Sequence, residues 1–235
     1  MAQGTKPAYR SALIVGAGQG LSASLARLFA KEGMRIALAS RDTSKLKALC
    51  EETRAAAFDC DVSDAPQVDR LFDEVDGALG DLDVVVFNPS ARSRGPFVEL
   101  KSEDVARALA VAAMGGFLVA QQAARRMVPR GFGAILFTGA SASVKGYAQS
   151  APFAMAKFAL RGLAQSLARE LSPQGVHVAH FVIDGAIQPA GRESTSRLEA
   201  MLDPDAIAAS YLHVLNQPRS AWTWEMELRP WVEKF

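Results

Sequence analysis

Residues 12–30, ALIVGAGQGLSASLARLFA, constrain the fold of this chain more than any other stretch. Leu13, Ile14 and Val15 form an unbroken apolar run, as a strand buried on both faces requires. Gly16, Gly18 and Gly20 then interrupt it with a turn whose backbone is open to close approach. Leu21, Leu25, Leu28 and Phe29 follow at helical spacing, so the first amides of that helix point into the turn and make a ready anion site. Gly16 and Gly20 are spaced Gly-x3-Gly, and Ser22 stands where a dinucleotide fingerprint has its last glycine.

The same alternation continues along the chain. Residues 34–39 predict a second buried strand, followed by Ser40, Arg41, Asp42 and a helix over 44–54. The end of that strand lies beside the adenosine ribose in units of this kind. An acidic group there suits a free 2′-hydroxyl, whereas Ser40 with Arg41 suits a 2′-phosphate; Arg41 is otherwise a solvated loop charge. A short strand at 55–58 leads through Asp61 to a helix over 66–79. Asp61 either meets an adenine edge or is one of several polar groups, with Ser63 and Asp64, around a helix cap.

Residues 82–87 predict a further buried strand ending at Asn88, Pro89 and Ser90. Arg92 and Arg94 in the next loop either meet an acidic substrate or remain solvated. A long helix is expected over 102–127, with a small-residue patch at Ala112, Ala113, Gly115 and Gly116 against which another helix packs closely. A fifth strand at 133–137, a hydroxyl-rich loop at 138–150 and a helix over 153–171 opened by Pro152 follow. A sixth strand at 175–183 carries His177 and His180 among apolar residues, where histidines are more often structural than catalytic. An irregular stretch at 184–197, a helix at 203–215 and a half-buried final strand at 221–228 complete the chain.

Strands alternate with helices throughout, which implies α/β architecture: a single doubly wound, Rossmann-like parallel sheet flanked by helices on both faces. Residues 11–235 are expected to form one domain behind a disordered lead-in at 1–10. That lead-in is polar, which argues against a secretory signal or membrane anchor. The net charge of +1 leaves no basic surface for nucleic acid or membrane, so the expected partners are small molecules and copies of itself. Cys50 and Cys60 have no metal-site company and suit a reducing, cytoplasmic setting. No metal is expected. Ligands in such sheets bind beyond the carboxyl ends of the strands, where the glycine turn, Arg41, Asp61, Asn88, residues 138–141 and Asp184 all fall.

Over nearly its whole length the chain resembles the short-chain dehydrogenase/reductase family. Gly16 and Gly20 match its first motif, with Val15 and Ser22 changed; Asp61 and Val62 match its adenine-binding pair; Asn88 retains one asparagine of its Asn-Asn-Ala-Gly strand end; and 165–173, QSLARELSP, looks like its helix beyond the active-site lysine. The resemblance implies a nicotinamide dinucleotide, NADP(H) preferred with NAD(H) not excluded. Its expected contacts are Gly16, Gly18, Gln19, Gly20, Leu21, Ser40, Arg41, Asp61, Val62, Asn88, Lys157, Gly185 and Ile187.

The family's chemistry uses a tyrosine for proton transfer, a serine that orients the substrate oxygen, a lysine four residues after the tyrosine, and an asparagine sustaining a water relay. Here the tyrosine position is Phe153, the serine position Ala140 with Ser141 one residue on, the asparagine position Ala112, and the lysine Lys157. Only Lys157 stands in place, so Lys157, Ser141 and Phe153 mark the catalytic end of the expected site. Tyr147, Asp184, Ser141 or a water near Lys157 are substitute proton donors. A positioned acid contributes about 10²- to 10⁴-fold in rate. Its loss therefore slows carbonyl reduction without forbidding it. Three readings follow: an NADP(H)-dependent oxidoreductase with altered proton transfer, a catalytically silent NADP(H)-binding protein serving as sensor or partner, or a scaffold that has lost cofactor binding, against which Lys157 and Arg41 argue. Helices 102–127 and 153–171 resemble the pair through which the family dimerises, implying a homodimer or homotetramer.

Overall fold

The apolar run after the first ten residues forms β1 (Ser11–Val15), which is fully buried in the middle of the sheet. A computed structural model describes residues 8–189 and 200–232. β1 pairs in parallel with β2 (Arg35–Ser40) on one side and β4 (Val84–Phe87) on the other. β3 (Ala56–Asp59) extends the sheet beyond β2. β5 (Gly133–Thr138), β6 (Val176–Ile183) and β7 (Glu225–Leu228) extend it beyond β4, again in parallel. The resulting order is β3-β2-β1-β4-β5-β6-β7. The order reverses at β1, so the crevice between the carboxyl ends of β1 and β4 is where a ligand enters.

Side chains alternate along each strand and so feed two cores. Ala12 and Ile14 of β1 pack with α1 (Leu21–Lys31) and α7 (Pro204–Leu215) on one face. Leu13 and Val15 pack with α3 (Ala65–Leu79), α5 (Gly115–Met127) and α6 (Ala151–Leu171) on the other. This is the doubly wound α/β arrangement expected from the alternation of patterns. The small-residue patch serves close packing: a Cβ on Gly116 would stand 2.5 Å from Leu160 Cδ1, and one on Gly115 would stand 2.9 Å from Val62 Cγ2. Neither position tolerates even a methyl group without displacing its neighbour.

Some expected boundaries need correction. The long helix 102–127 is a helix, α4 (Ser102–Leu109), that passes through a π turn at Ala110–Met114 into α5. Periodicity does not register one widened turn within an amphipathic run. The final strand is shorter than 221–228: Arg219–Ala221 form a 3-10 turn, and Trp222 stacks on His177 at 4.5 Å instead of extending the strand. The helix after residue 40 begins as a 3-10 turn, Thr43–Leu46, before α2 (Lys47–Thr53). Of the lead-in, residues 1–7 lie outside the described residues, but Tyr9 is already buried against Phe132, so the packed chain begins before residue 11. Residues 190–199 of the irregular stretch also lie outside the described residues.

Candidate functional site

The glycine turn is shaped by what lies beneath it. Gly16 has φ +79°, and a Cβ there would stand 2.7 Å from the Pro89 nitrogen, so this position is reserved for glycine by both conformation and space. Around Gly18 and Gly20, by contrast, the space a Cβ would occupy is open. Gly20 caps α1 without any side-chain hydrogen bond, and no acidic residue lies in the helix's first turn. An uncapped helix start beside open glycines fits a pyrophosphate. Gln19 donates to the Lys45 carbonyl at 2.8 Å, and the Leu21 side chain is buried in the core, leaving its backbone as what it offers the turn.

Ser22, read from sequence only as a departure from the fingerprint, has a structural task. Its hydroxyl accepts from Asn88 Nδ2 at 2.7 Å and donates to the Gly16 carbonyl at 3.2 Å. The end of β4 is thereby tied to the glycine turn. The only sequence signal for this was a hydroxyl where a glycine was expected.

Beyond the turn lies a cavity of about 370 Å³ lined by Ser40, Arg41, Asp61, Val62 and Asn88 together with Gly16 and Arg107. Arg41 is exposed at its mouth. The Asp61 carboxylate accepts from the Ser63 amide and hydroxyl at 3.0 and 2.6 Å, so it shapes the start of the following segment while lining the cavity. These bonds, and then the Arg41 charge, hold its carboxyl below the usual range.

A second cavity, of about 610 Å³, shares Asn88, Ser90 and Arg92 with the first and contains Ser141, Tyr147, Phe153, Lys157, Asp184, Gly185 and Ile187. Gly16, Ser40, Arg41, Asp61, Val62, Asn88, Lys157, Gly185 and Ile187 thus line two adjoining cavities, whereas Gly18, Gln19, Gly20 and Leu21 line neither. Lys157 is buried, and its Nζ donates to the Thr138 carbonyl at 2.8 Å. Burial, and then the nearby Arg92 charge, pulls its pKa down to about 7. Phe153 is also buried, with the Arg92 guanidinium carbon 4.4 Å from its ring centroid and Lys157 Nζ 6.0 Å away. No hydroxyl stands at that ring.

The other two changed positions, Ala140 and Ala112, carry no polar side chain either. Ala140 is buried, and its amide donates to Ser143 Oγ at 3.1 Å. Ala112 lies inside the π turn, packed with Ala108 and Ala156. Of the substitute proton donors, Asp184 is engaged by Lys145 at 3.2 Å and Arg229 at 3.5 Å. Ser141 and Tyr147 remain on the cavity wall. The histidines are structural: His177 bonds the Thr223 carbonyl at 2.9 Å, and His180 sits 3.1 Å from Glu225, which Arg161 also holds. Burial pushes the His180 pKa down to about 4, so it is neutral at physiological pH. The stacking of Arg92 on Phe153 had no sequence signal, since loop and helix are far apart in the chain.

Comparison with known proteins decides the family. The short chain dehydrogenase profile matches residues 10–197. The chain belongs to the short-chain dehydrogenase family. It is 31% identical over 204 residues to the 3-oxoacyl-[acyl-carrier-protein] reductase MabA of Mycobacterium avium, covering 86% of this chain and 76% of that one. It is 28% identical to carbonyl reductase family member 4 of Xenopus tropicalis, covering 87% and 90%. Among solved structures it resembles a short-chain dehydrogenase from Rhodopseudomonas palustris, at 35% identity and TM-score 0.84, over 96% of this chain and 100% of that one. It also resembles a metagenomic short-chain oxidoreductase solved in complex with NADP, at 26% identity and TM-score 0.82, over 94% and 97%. These likenesses support an oxidoreductase of the short-chain type. Among the described residues no helix is long and apolar enough to cross a membrane, and no group of three or more His, Cys, Asp or Glu side chains is arranged to hold a metal.

Proposed function

We propose that the chain is an NADP(H)-dependent oxidoreductase of the short-chain type, acting on a small carbonyl or alcohol, whose proton transfer does not pass through position 153. The observation that carries the reading is the pair of adjoining cavities that run from Gly16 and Ala17 of the glycine turn past Arg41 to Lys157. The open space at Gly18 and Gly20 fits the pyrophosphate, and Ser40 with Arg41 fits a 2′-phosphate better than a bare ribose hydroxyl. When bound, the nicotinamide supplies or accepts a hydride.

The protein's own part is binding and orientation. Lys157, fixed by the Thr138 carbonyl, is placed to donate to ribose hydroxyls, and Asn88, fixed through Ser22, holds the strand end that faces them. Ser141 and Tyr147 are the hydroxyls on the cavity wall available to meet a substrate oxygen. Phe153, Ala140 and Ala112 favour a second reading: an NADP(H)-binding protein without catalysis, acting as sensor or partner. Self-association fits either reading, because Met114 of the π turn, Phe117 of α5, and Met155 and Phe158 of α6 stay half-exposed. A cytoplasmic location is part of the same proposal, on the two cysteines outside any disulfide.

Titration of the purified protein with NADPH and NADH, followed by nicotinamide fluorescence, tests the reading. NADPH is expected to bind more tightly. Absence of binding by either nucleotide refutes both readings, and tighter NADH binding refutes the role of Arg41. A carbonyl panel with the wild type and Phe153→Tyr then separates them: turnover by the wild type supports the oxidoreductase, whereas turnover by neither supports the silent protein.

A further inference from the structure

The loop after β4 is extended and alternates. Ser93 is half-buried, its hydroxyl reaching Asp104 at 3.4 Å, while Arg92 and Arg94 are exposed; the Gly95 amide donates to the Gln149 carbonyl at 3.1 Å. The residues on either side of Ser93, Arg92 and Arg94, both line the cavity beside Phe153. Neither makes a hydrogen bond or ion pair with any described residue. The Arg92 guanidinium carbon lies 4.4 Å over the Phe153 ring, a contact that uses none of its N–H donors for a hydrogen bond to a described residue.

Among the described residues, charge in this cavity does not balance. Lys157 adds a third basic group, whose charge and that of Arg92 disfavour one another. The acidic group on the wall, Asp184, is already engaged by Lys145 and Arg229. Arg107, at the other cavity, is taken by Asp104. Burial, and then the adjacent Arg94 charge, lower the Arg92 pKa from its ordinary value, as burial and a neighbouring cation do. An anion placed between them relieves that repulsion and gains charge-assisted hydrogen bonds from guanidinium forks, whose planar geometry matches a carboxylate.

We propose that Arg92 and Arg94 form a carboxylate-binding subsite at the Phe153 end of the crevice, so that the substrate is a carbonyl or hydroxy compound carrying a carboxylate. The substrate class rests on the oxidoreductase reading above; the anion subsite does not. Phe153, Ala142 and Ile187 supply apolar wall for the body of such a molecule. The cofactor's phosphates are the other source of the same chemistry. Arg94 separates the two, because it lines the Phe153 cavity and not the cavity beside the glycine turn.

The test is calorimetric titration of the full chain with benzoylformate and with its methyl ester, with and without NADP⁺. The acid is expected to bind more tightly than the ester by roughly ten- to a hundred-fold, the range for charged hydrogen bonds. Arg92→Met and Arg94→Met should each remove most of that preference, with circular dichroism and melting temperature unchanged. Arg94→Met should leave NADPH affinity within about threefold, as expected for a residue outside the cofactor cavity. Equal binding of acid and ester, no binding of the acid at millimolar concentration, or a preference that survives both substitutions overturns the subsite. Loss of NADPH affinity by Arg94→Met in step with loss of acid binding assigns the arginines to cofactor phosphate and overturns it too. If the acid is preferred but no nicotinamide nucleotide binds, the oxidoreductase reading falls and the subsite stands.

Discussion

Replacing Lys157 by methionine should make the ligand-free protein more stable at pH 6 and less stable at pH 10. The amine is 3% exposed, and burial pulls its pKa from near 10.5 to about 7. A lysine with a depressed folded-state pKa destabilises the fold wherever the unfolded chain holds the proton more tightly. The cost is absent above pH 10.5, grows as pH falls, and is complete below about pH 7. At about 1.4 kcal/mol per pH unit, it reaches on the order of 5 kcal/mol. Methionine fills similar volume without charge, but it deprives the Thr138 carbonyl of the donor 2.8 Å away, which costs about 1–3 kcal/mol. The net gain at pH 6 is about 2–4 kcal/mol, roughly 5–15 °C in melting temperature for a chain of this size. At pH 10 the titration cost has fallen to about 0.8 kcal/mol, below the cost of the lost hydrogen bond, so the sign reverses. Urea titrations of both proteins across this range measure the difference, in which all other titrating groups cancel. A variant less stable at pH 6, or a gap independent of pH, refutes the account of Lys157 as a buried, partly neutral amine.

Gly16→Ala should destabilise by about 2–4 kcal/mol by chemical denaturation, since it combines a φ of +79° with a contact of 2.7 Å to the Pro89 nitrogen; a loss under about 0.5 kcal/mol contradicts that packing. Arg41→Ala should weaken NADPH by roughly tenfold in fluorescence titration and leave NADH within about twofold; parallel losses would mean that the guanidinium does not meet a 2′-phosphate. Phe117→Glu places a charge on the half-exposed outer face of α5 and should shift the protein toward monomer in light scattering at micromolar concentration; an unchanged mass distribution locates any interface elsewhere.

The parts of the fold legible in the chain were those governed by short-range periodicity. β1, β4, β5 and β6 are buried on both faces and read as largely apolar runs, β6 broken only by His177 and His180, and α1, α3 and α6 carry their apolar stripes at helical spacing. The edge strand β7 was legible only in part, because Trp222 finds a partner in His177 and leaves the alternating pattern before the strand begins. The π turn at Ala110–Met114 was invisible, since one widened turn hardly alters a stripe of apolar residues.

The site divides along the same line. Sequence alone determined the parallel α/β class, the glycine turn at its crevice, and the absence of a hydroxyl at position 153, because each is a property of residue type and local spacing. Tertiary structure alone decided that Ser22 links Asn88 to Gly16, that Lys157 is buried against the Thr138 carbonyl, and that Arg92 lies on the ring of Phe153. Two of those contacts, Ser22 with Asn88 and Arg92 with Phe153, join segments dozens of residues apart, and the energies of all of them depend on burial and distance, which no local pattern encodes.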